Sequence, residues 1–303
     1  MFLKASFKNA PVLVQFLMLF VLISACTLFS SFLILLFLLF KTGTSLEALS
    51  EVLQNLSDYP DLMRGTQFLQ SLGVFLFPAI IGAWLFSDNY KAYFGIDQPI
   101  RQRIVIWTAI SMIVAVPFLN WTYALNQQMV FPEALKGIET WMKETEAAAD
   151  RLTHLLLDTN NIPTIVLNIL IICVIAALCE EFMFRGLLQT LFGRVIRNPH
   201  VIIWIVAILF SAIHLQFYGF ITRMFLGAWL GYLMYFTKTI WIPVWAHFVN
   251  NFISIAGYYL FRNTPDELQK IDTIGSGSTW WLAVASFALF IFCVSQIKKA
   301  TAS

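Results

Sequence analysis

Charged residues are scarce in this chain of 303 residues, where Asp, Glu, Lys and Arg together make up 12%. A soluble domain has about a quarter of its residues charged, whereas here 59% are apolar and the mean hydropathy is +0.76. This composition excludes an ordinary soluble domain and indicates a polytopic membrane protein. The sequence also lacks basic runs and zinc-finger spacings, and its net charge is only +2. We therefore expect no nucleic-acid partner.

Cysteine is also infrequent. The four cysteines, Cys26, Cys173, Cys179 and Cys293, lie in apolar stretches and form no CxxC pair. A disulfide framework or a zinc module is therefore not expected. Cys179 precedes Glu180 directly, but a thiol in an apolar helix is usually inert, so we predict no nucleophilic role for it.

Long apolar runs dominate the sequence. Eight of them can be marked, at residues 12–40, 68–86, 104–119, 163–187, 201–217, 221–236, 240–260 and 280–296. A spanning helix needs about 20 apolar residues, so the pattern predicts an all-α, polytopic bundle of about eight transmembrane helices. The first run is too long for the core of a signal peptide and is interpreted as a retained span. No repeat or second domain is evident, which predicts a single membrane domain over residues 1–303.

The charges in the loops predict an orientation. With eight spans, the basic residues of the termini and alternate loops fall on one side, namely Lys4, Lys8, Lys91, Arg101, Arg103, Arg194, Arg197, Lys238, Lys298 and Lys299. Acidic residues dominate the other loops. By the positive-inside rule both termini are cytoplasmic, and we expect a bacterial inner (plasma) membrane.

Two of the outer loops carry helical patterns. Residues 44–56 show leucines at helical spacing, and residues 132–157 show apolar residues on one face with glutamates and lysines on the other. These patterns predict amphipathic helices that lie along the outer surface and cap the bundle.

Polar residues inside the apolar runs occur in three places. Ionisable groups cost at least a few kcal/mol each at the bilayer centre, so they are expected to face protein or a wet cavity. The fourth run contains Glu180, Glu181 and Arg185, the fifth contains His214, and the seventh contains His247, Asn250 and Asn251. Taken singly, each set has a structural explanation as an interhelical hydrogen bond or ion pair. Their coincidence in three spans favours function.

Helical spacing predicts which of these side chains share a face. Glu181 and Arg185 are four residues apart and are expected to pair. Glu180 is rotated by about 100° from Glu181 and points elsewhere. His247 and Asn251 are also four apart. At about 1.5 Å per residue, Glu180 and His247 lie at similar depths in the inner half of the membrane, which permits one shared polar chamber.

These residue types suit the hydrolysis of an amide bond. A glutamate takes a proton from water, and a histidine shares that work or protonates the leaving amine. The second histidine and the asparagine can donate hydrogen bonds to the oxyanion. We predict that Glu181 and Arg185 fix helix geometry, that Phe210 is a packing residue beside His214, and that Asn250 faces away from His247.

Three motifs then carry a family resemblance. They are EExxxR at "EEFMFR" (residues 180–185), FxxxH at "FSAIH" (210–214) and HxxxN at "HFVNN" (247–251). Their order resembles the CAAX-protease and bacteriocin-processing (CPBP, or Abi) family, which includes the type II CAAX prenyl endopeptidases. The resemblance covers residues 163–260. It implies a metal-free intramembrane glutamate protease without a cofactor, in which Glu180 and His214 activate water while His247 and Asn251 form the oxyanion hole.

The same resemblance implies a peptide or protein substrate that is membrane-associated or lipid-anchored, with membrane lipids around the bundle. Prenylated substrates are not assumed, because the family includes members whose substrates are not prenylated. The inner-half position of the chamber predicts cleavage near the inner leaflet.

Three alternatives stay open at this point. Glu180, His214 and His247 could form a two-histidine, one-carboxylate zinc site, although HExxH is absent. A proton-relaying transporter would use similar residues, but no inverted repeat is visible. A non-catalytic immunity or scaffold protein could retain the same helices.

Overall fold

The structure, a computed structural model, describes residues 3–45 and 47–302, and over these it contains helices and turns but no strand. The all-α class is therefore confirmed. Twelve helices are labelled in chain order: α1 (Val12–Thr42), α2 (Leu49–Gln54), α3 (Pro60–Phe86), α4 (Tyr90–Phe94), α5 (Gln102–Gln127), α6 (Lys136–Leu157), α7 (Ile162–Phe192), α8 (Pro199–Ala212), α9 (Phe220–Thr237), α10 (Trp241–Phe261), α11 (Pro265–Thr273) and α12 (Trp280–Ala302).

Each of the eight predicted runs contains a helix, in α1, α3, α5, α7, α8, α9, α10 and α12, but the run at 201–217 is helical only as far as Ala212 before its final 3₁₀ residue. Among the described residues, five helices are long and apolar enough to cross a membrane: α1, α3, α5, α7 and the segment Gly277–Ala302 that contains α12. The polytopic class holds, but fewer helices than the predicted eight meet this criterion. With 14 residues α8 is shorter than the roughly 20 that a span needs. Polar side chains such as Arg223 in α9 and His247 in α10 lower the hydropathy of those two helices.

The outer helices also match the prediction in part. Residues 132–157 form α6 after a short 3₁₀ turn at Glu133–Leu135. Residues 44–56 form only the six-residue α2, followed by a 3₁₀ turn at Leu56–Asp58, and Leu46 lies outside the described residues. Isolated helices this short are marginal, and α2 is held by burial of Leu49 against the apolar end of α1.

The chain clusters into two compact units, each described by itself below. Unit 1 comprises residues 1–97 and 152–197, and unit 2 comprises residues 98–151 and 198–303. Unit 1 therefore contains α1–α4 and α7. Unit 2 contains α5, most of α6 and α8–α12.

In unit 1, α1 and α3 approach closely because α3 has glycine where side chains would collide. A Cβ on Gly65 would lie 2.2 Å from Phe37 Cζ, and one on Gly73 would lie 2.1 Å from Ser30 Cβ. The Ser30 hydroxyl donates to the Leu69 carbonyl at 2.8 Å. Small residues that allow such contact are the usual basis of helix association in lipid.

A buried arginine joins three segments of unit 1. Arg64 is 4% exposed; its Nε donates to Asn168 Oδ1 at 2.7 Å and its Nη2 donates to the Leu156 carbonyl at 2.6 Å. The Asn168 amide also donates to the Leu156 carbonyl, at 2.7 Å, and Asp61 pairs with Arg64 Nη1. Together these bonds connect α3, the end of α6 and the start of α7.

In unit 2, a serine bridges the proline break in α5. Pro117 lies inside the helix and has no N–H to donate. Ser286 of α12 donates to the Val114 carbonyl at 2.5 Å and accepts from the Phe118 N–H at 3.3 Å. The hydroxyl therefore stands in for a distorted hydrogen bond of the helix and ties α5 to α12.

Candidate active site

The glutamates of the first motif lie in an irregular part of α7. Two π-helical stretches, Ile169–Ile175 and Phe182–Leu188, flank the regular segment Ala176–Glu181. Widened turns of this kind occur frequently at functional sites. Glu180 and Glu181 stand at the junction with the second stretch, so their side chains leave the helix where its periodicity changes.

The predicted ion pair within this motif forms. Arg185 Nη1 lies 2.6 Å from Glu181 Oε1, and both side chains are fully buried. The guanidinium is also 5.9 Å from the ring centroid of Phe184. Glu180, one residue earlier, is half-buried. The structure therefore gives the two adjacent carboxylates different environments, with Glu181 held by Arg185.

A glycine in the second π-helical stretch of α7 lets the end of α4 pack closely against it. A Cβ on Gly186 would lie 2.5 Å from Phe94 Cδ1, and the rings of Phe94 and Phe182 are 4.8 Å apart. Phe94 is fully buried at the end of α4. The turn that follows the glutamates is thus covered by aromatic packing.

The second motif departs from the prediction that His214 lies inside a helix. In unit 2, α8 ends at Ala212, and His214 lies in the connector to α9, defined here as residues 213–219. Beyond the helix the chain continues in turns, where the N–H groups of His214 and Leu215 donate to the carbonyls of Ser211 and Ala212 at 3.3 and 3.1 Å. The Ser211 hydroxyl donates to the Phe220 carbonyl at 2.7 Å, and Leu215 adopts a φ of +53°, which is incompatible with a continuing right-handed helix.

The hydrogen bond of His214 determines which ring nitrogen is basic. Its Nδ1 lies 2.7 Å from the carbonyl oxygen of Phe210. A carbonyl oxygen can only accept, so Nδ1 carries the proton and, in the neutral ring, Nε2 is the basic nitrogen. This is the tautomer that a general base requires when its other nitrogen is anchored to the backbone.

Phe210 is more than a packing residue of its own helix, because it contacts both histidines of unit 2. Its ring centroid is 5.0 Å from that of His214 and 5.8 Å from that of His247, with an edge-to-face angle of 81° to the latter. Phe210 is 1% exposed. The second and third motifs therefore meet at this ring, which the helical spacing alone did not indicate.

Close packing of α9 against α8 holds Phe210 in place, and we predict that enlarging Gly227 disturbs it. A Cβ there would lie 3.1 Å from Phe210 Cδ1 and 3.2 Å from Ala207 Cα, a backbone atom that cannot yield. Gly227→Ala should lower the free energy of unfolding by about 1–3 kcal/mol, the usual cost of overpacking. Thermal unfolding of the purified protein in detergent measures it. Gly257→Ala in α10 is the matched control, since nothing lies within 4 Å of its Cβ position. It should be neutral or stabilising, and an equal loss in both variants would contradict the packing argument.

The third motif lies on α10 of unit 2. His247 is 4% exposed, and Asn251 follows one helical turn later. The neighbouring Asn250 donates through Nδ2 to Asn251 Oδ1 at 3.2 Å, and its orientation away from His247 stays a prediction. The Asn251 carbonyl oxygen is therefore an acceptor in this contact, and its NH₂ group is the donor half of the amide.

The structure thus groups the predicted site residues in two sets. Unit 1 holds Glu180 with the Glu181–Arg185 pair, and unit 2 brings Phe210, His214 and His247 into contact, with Asn251 one turn beyond. The joint action of Glu180 with the residues of unit 2 stays a prediction. Over the described residues, no three His, Cys, Asp or Glu side chains are grouped so that they could hold a metal ion.

Comparison with known families agrees with the three motifs. Residues 162–253 match the family model described as type II CAAX prenyl endopeptidase Rce1-like, which confirms the resemblance predicted from EExxxR, FxxxH and HxxxN. The comparisons with curated proteins and with solved structures gave no match. The matched family model is one of endopeptidases, and five of the described helices are long and apolar enough to cross a membrane, which indicates an integral membrane protein.

Proposed function

We propose, from the similarity of residues 162–253 to the type II CAAX prenyl endopeptidases, that this chain is an intramembrane, metal-independent glutamate endopeptidase. One observation carries the proposal. The matched segment contains all seven predicted site residues: Glu180, Glu181, Arg185, Phe210, His214, His247 and Asn251. The motifs are therefore embedded in a sequence context that matches the family as a whole.

In the proposed reaction, Glu180 and His214 activate a water molecule. One of them takes a proton as the water oxygen attacks the carbonyl carbon of the scissile peptide bond. The anchored Nδ1–H of His214, which leaves Nε2 basic, supports its part in this step. The proton then passes to the leaving nitrogen as the C–N bond breaks, which yields a carboxylic acid and an amine.

His247 and Asn251 are proposed to stabilise the oxyanion of the tetrahedral intermediate. Both side chains can donate a hydrogen bond, and they lie one turn apart on α10. The buried Glu181–Arg185 pair holds the turn of α7 from which Glu180 projects.

The proposed setting is a bacterial inner (plasma) membrane with both termini in the cytoplasm, as the loop charges predict. The substrate is a peptide or protein at the membrane, and its scissile bond lies near the inner leaflet. Mapping of cleavage to the outer surface would contradict this part of the proposal. Lipid anchoring of the substrate is not required by the argument.

The test compares membrane-protein termini and released peptides from native cells that carry either the wild-type protein or Glu180→Gln at equal abundance. A peptide that is present with the wild type and absent with the variant would identify a substrate, and His214→Ala should lose the same peptide. If no terminus changes while both strains still differ from a deletion strain, the function is binding or scaffolding rather than proteolysis.

The metal independence of the reaction is tested separately, by the effect of chelators on the cleavage rate. Cleavage of the identified peptide by purified protein should be unchanged by EDTA or 1,10-phenanthroline, because activation of water by Glu180 and His214 needs no metal-bound hydroxide. A chelator-sensitive rate that zinc restores would instead favour the two-histidine, one-carboxylate zinc site. A Glu180→Gln sample provides the background rate in both conditions.

A further inference from the structure

The connector that carries His214 is held by side chains from two other helices of unit 2. Asn126, fully buried near the end of α5, donates through Nδ2 to the Phe217 carbonyl at 3.0 Å and accepts through Oδ1 from the Ile221 N–H at 2.7 Å. Glu146 of α6 accepts through Oε2 from the Tyr218 N–H at 3.0 Å. Three backbone groups within five residues are thus bound by two side chains.

These bonds replace the ones that a helix would have supplied. Beyond the end of α8, the backbone from Phe217 to Ile221 passes through a 3₁₀ turn into the first turn of α9, where N–H groups have no acceptor within the helix. Glu146 and Asn126 supply such acceptors, to Tyr218 and Ile221. An unsatisfied buried N–H would cost about as much as a lost hydrogen bond.

Aromatic packing between α6 and the connector also stabilises the connector's position. The rings of Trp141 and Phe217 are 5.1 Å apart. Burial raises the pKa of Glu146, while the Tyr218 and Phe217 N–H groups and Arg223 act in the opposite direction. Glu146 is half-buried and bonded to the connector, unlike Glu144 on the same helix, which is exposed.

Arg223, in the first turn of α9, provides a further contact to the connector. Arg223 donates to the carbonyl and the side-chain oxygen of Gln216 at 3.1 and 2.7 Å, so it contacts the connector instead of extending to the surface. The Ser211–Phe220 bond also joins the two ends of the loop that contains His214. Asn126 and Glu146 attach this loop to α5 and α6. Little freedom remains in the backbone that places the imidazole.

We propose that Glu146 and Asn126 are positioning residues that place His214 by holding the backbone of residues 217–221. This inference rests on the proposed function, because it gives the outer helix α6 a role in catalysis by His214. Neither residue touches the reacting atoms. A shift of about 1 Å in a catalytic group is enough to cost about 100-fold in rate, so release of the connector should lower the turnover of substrate more than its binding.

The experiment uses full-length protein with Glu146→Ala, Asn126→Ala and Glu146→Gln. The glutamine keeps a carbonyl oxygen that can accept from the Tyr218 N–H, so it should rescue what alanine loses. Glu144→Ala is the matched control on the exposed face of α6. Two readouts are taken: hydrogen–deuterium exchange of peptides that cover residues 212–221, and the amount of the cleavage product that Glu180→Gln abolishes.

We expect Glu146→Ala and Asn126→Ala to speed exchange in the connector at least about fivefold, as loss of one hydrogen bond implies, and to lower product formation at least about tenfold. Glu146→Gln and Glu144→Ala should stay near the wild type in both readouts. Unchanged exchange of peptides from unit 1 would show that the variants remain folded.

Each result that differs from these expectations has a distinct interpretation. Unchanged exchange in the connector overturns the inference, and so does faster exchange with undiminished product. An equal loss of product in Glu146→Gln and Glu146→Ala means that the charge of Glu146, not its hydrogen bond to the connector, is needed, which also overturns positioning. If Glu180→Gln leaves every terminus unchanged, the proposed function itself fails and the catalytic role of α6 fails with it, whatever the exchange data show.

Discussion

Glu180→Gln should lower the rate of peptide cleavage by about 10²–10⁴-fold, the usual contribution of a general acid–base group. Glutamine has nearly the same shape but cannot take a proton from water, so binding of substrate should change far less than turnover. The rate is measured on the peptide identified in cells, with purified protein under single-turnover conditions. Equal abundance and equal thermal midpoint of the variant exclude misfolding as the cause.

The effect of combining two substitutions is a more specific test of this mechanism than either substitution alone. If Glu180 and His214 act on the same water, the double variant Glu180→Gln with His214→Ala should be no slower than the slower single variant, as is found for residues that act as a unit. Asn251→Ala should cost about 10²–10³-fold on its own, as loss of an oxyanion donor does. A double variant whose losses multiply would show that the two residues serve separate steps, and Glu180→Gln with wild-type activity would refute the mechanism.

The second large effect concerns the stability of unit 1. Glu181→Gln should lower the free energy of unfolding by about 3–5 kcal/mol, because it leaves the guanidinium of Arg185 buried without its counter-charge. Arg185→Met should cost less, since the remaining carboxyl of Glu181 can take up a proton while a guanidinium cannot lose one. Reversible unfolding in mixed detergent micelles measures the difference.

A double variant separates the ion pair from the packing around it. Glu181→Gln combined with Arg185→Met removes both charges and should be more stable than Glu181→Gln alone. Glu139→Gln with Lys143→Met is the surface comparison, because that pair is also four residues apart on one helix but its lysine is exposed. It should change stability far less than the loss of the buried pair does. Equal losses at the two pairs would contradict the importance of burial.

Hydropathy, helical spacing and short motifs in the sequence were sufficient to predict the helical fold, the buried ion pair and the matching family. Eight apolar runs were long enough to be recognised, and each contains a helix. The spacing of four between Glu181 and Arg185 predicted their contact, because side chains at that separation meet on any helix. The ordered motifs predicted the family that residues 162–253 match. Each of these features depends on residues that are close in the chain.

The sequence was a poorer guide where distant segments supply the missing partner. It placed His214 inside a helix, yet α8 ends two residues earlier, and side chains from α5 and α6 bind the backbone that follows at residues 217–221. Glu146 had no distinguishing signal among the other glutamates of α6. Asn126 was likewise only a polar residue near the end of an apolar run.

The sequence by itself therefore determined the helical class, the membrane setting, the buried pair and the residue types of the site, all of which follow from hydropathy and helical period. Only the tertiary structure decided that Phe210 contacts both His214 and His247, that the Phe210 carbonyl selects the tautomer of His214, and that an outer helix holds the loop on which His214 lies. Phe210 and His247 are 37 positions apart and Glu146 and Tyr218 are 72 apart, whereas the contacts between Phe210 and His214 depend on where α8 ends. Packing between helices, rather than any local pattern, sets which of the possible partners meet.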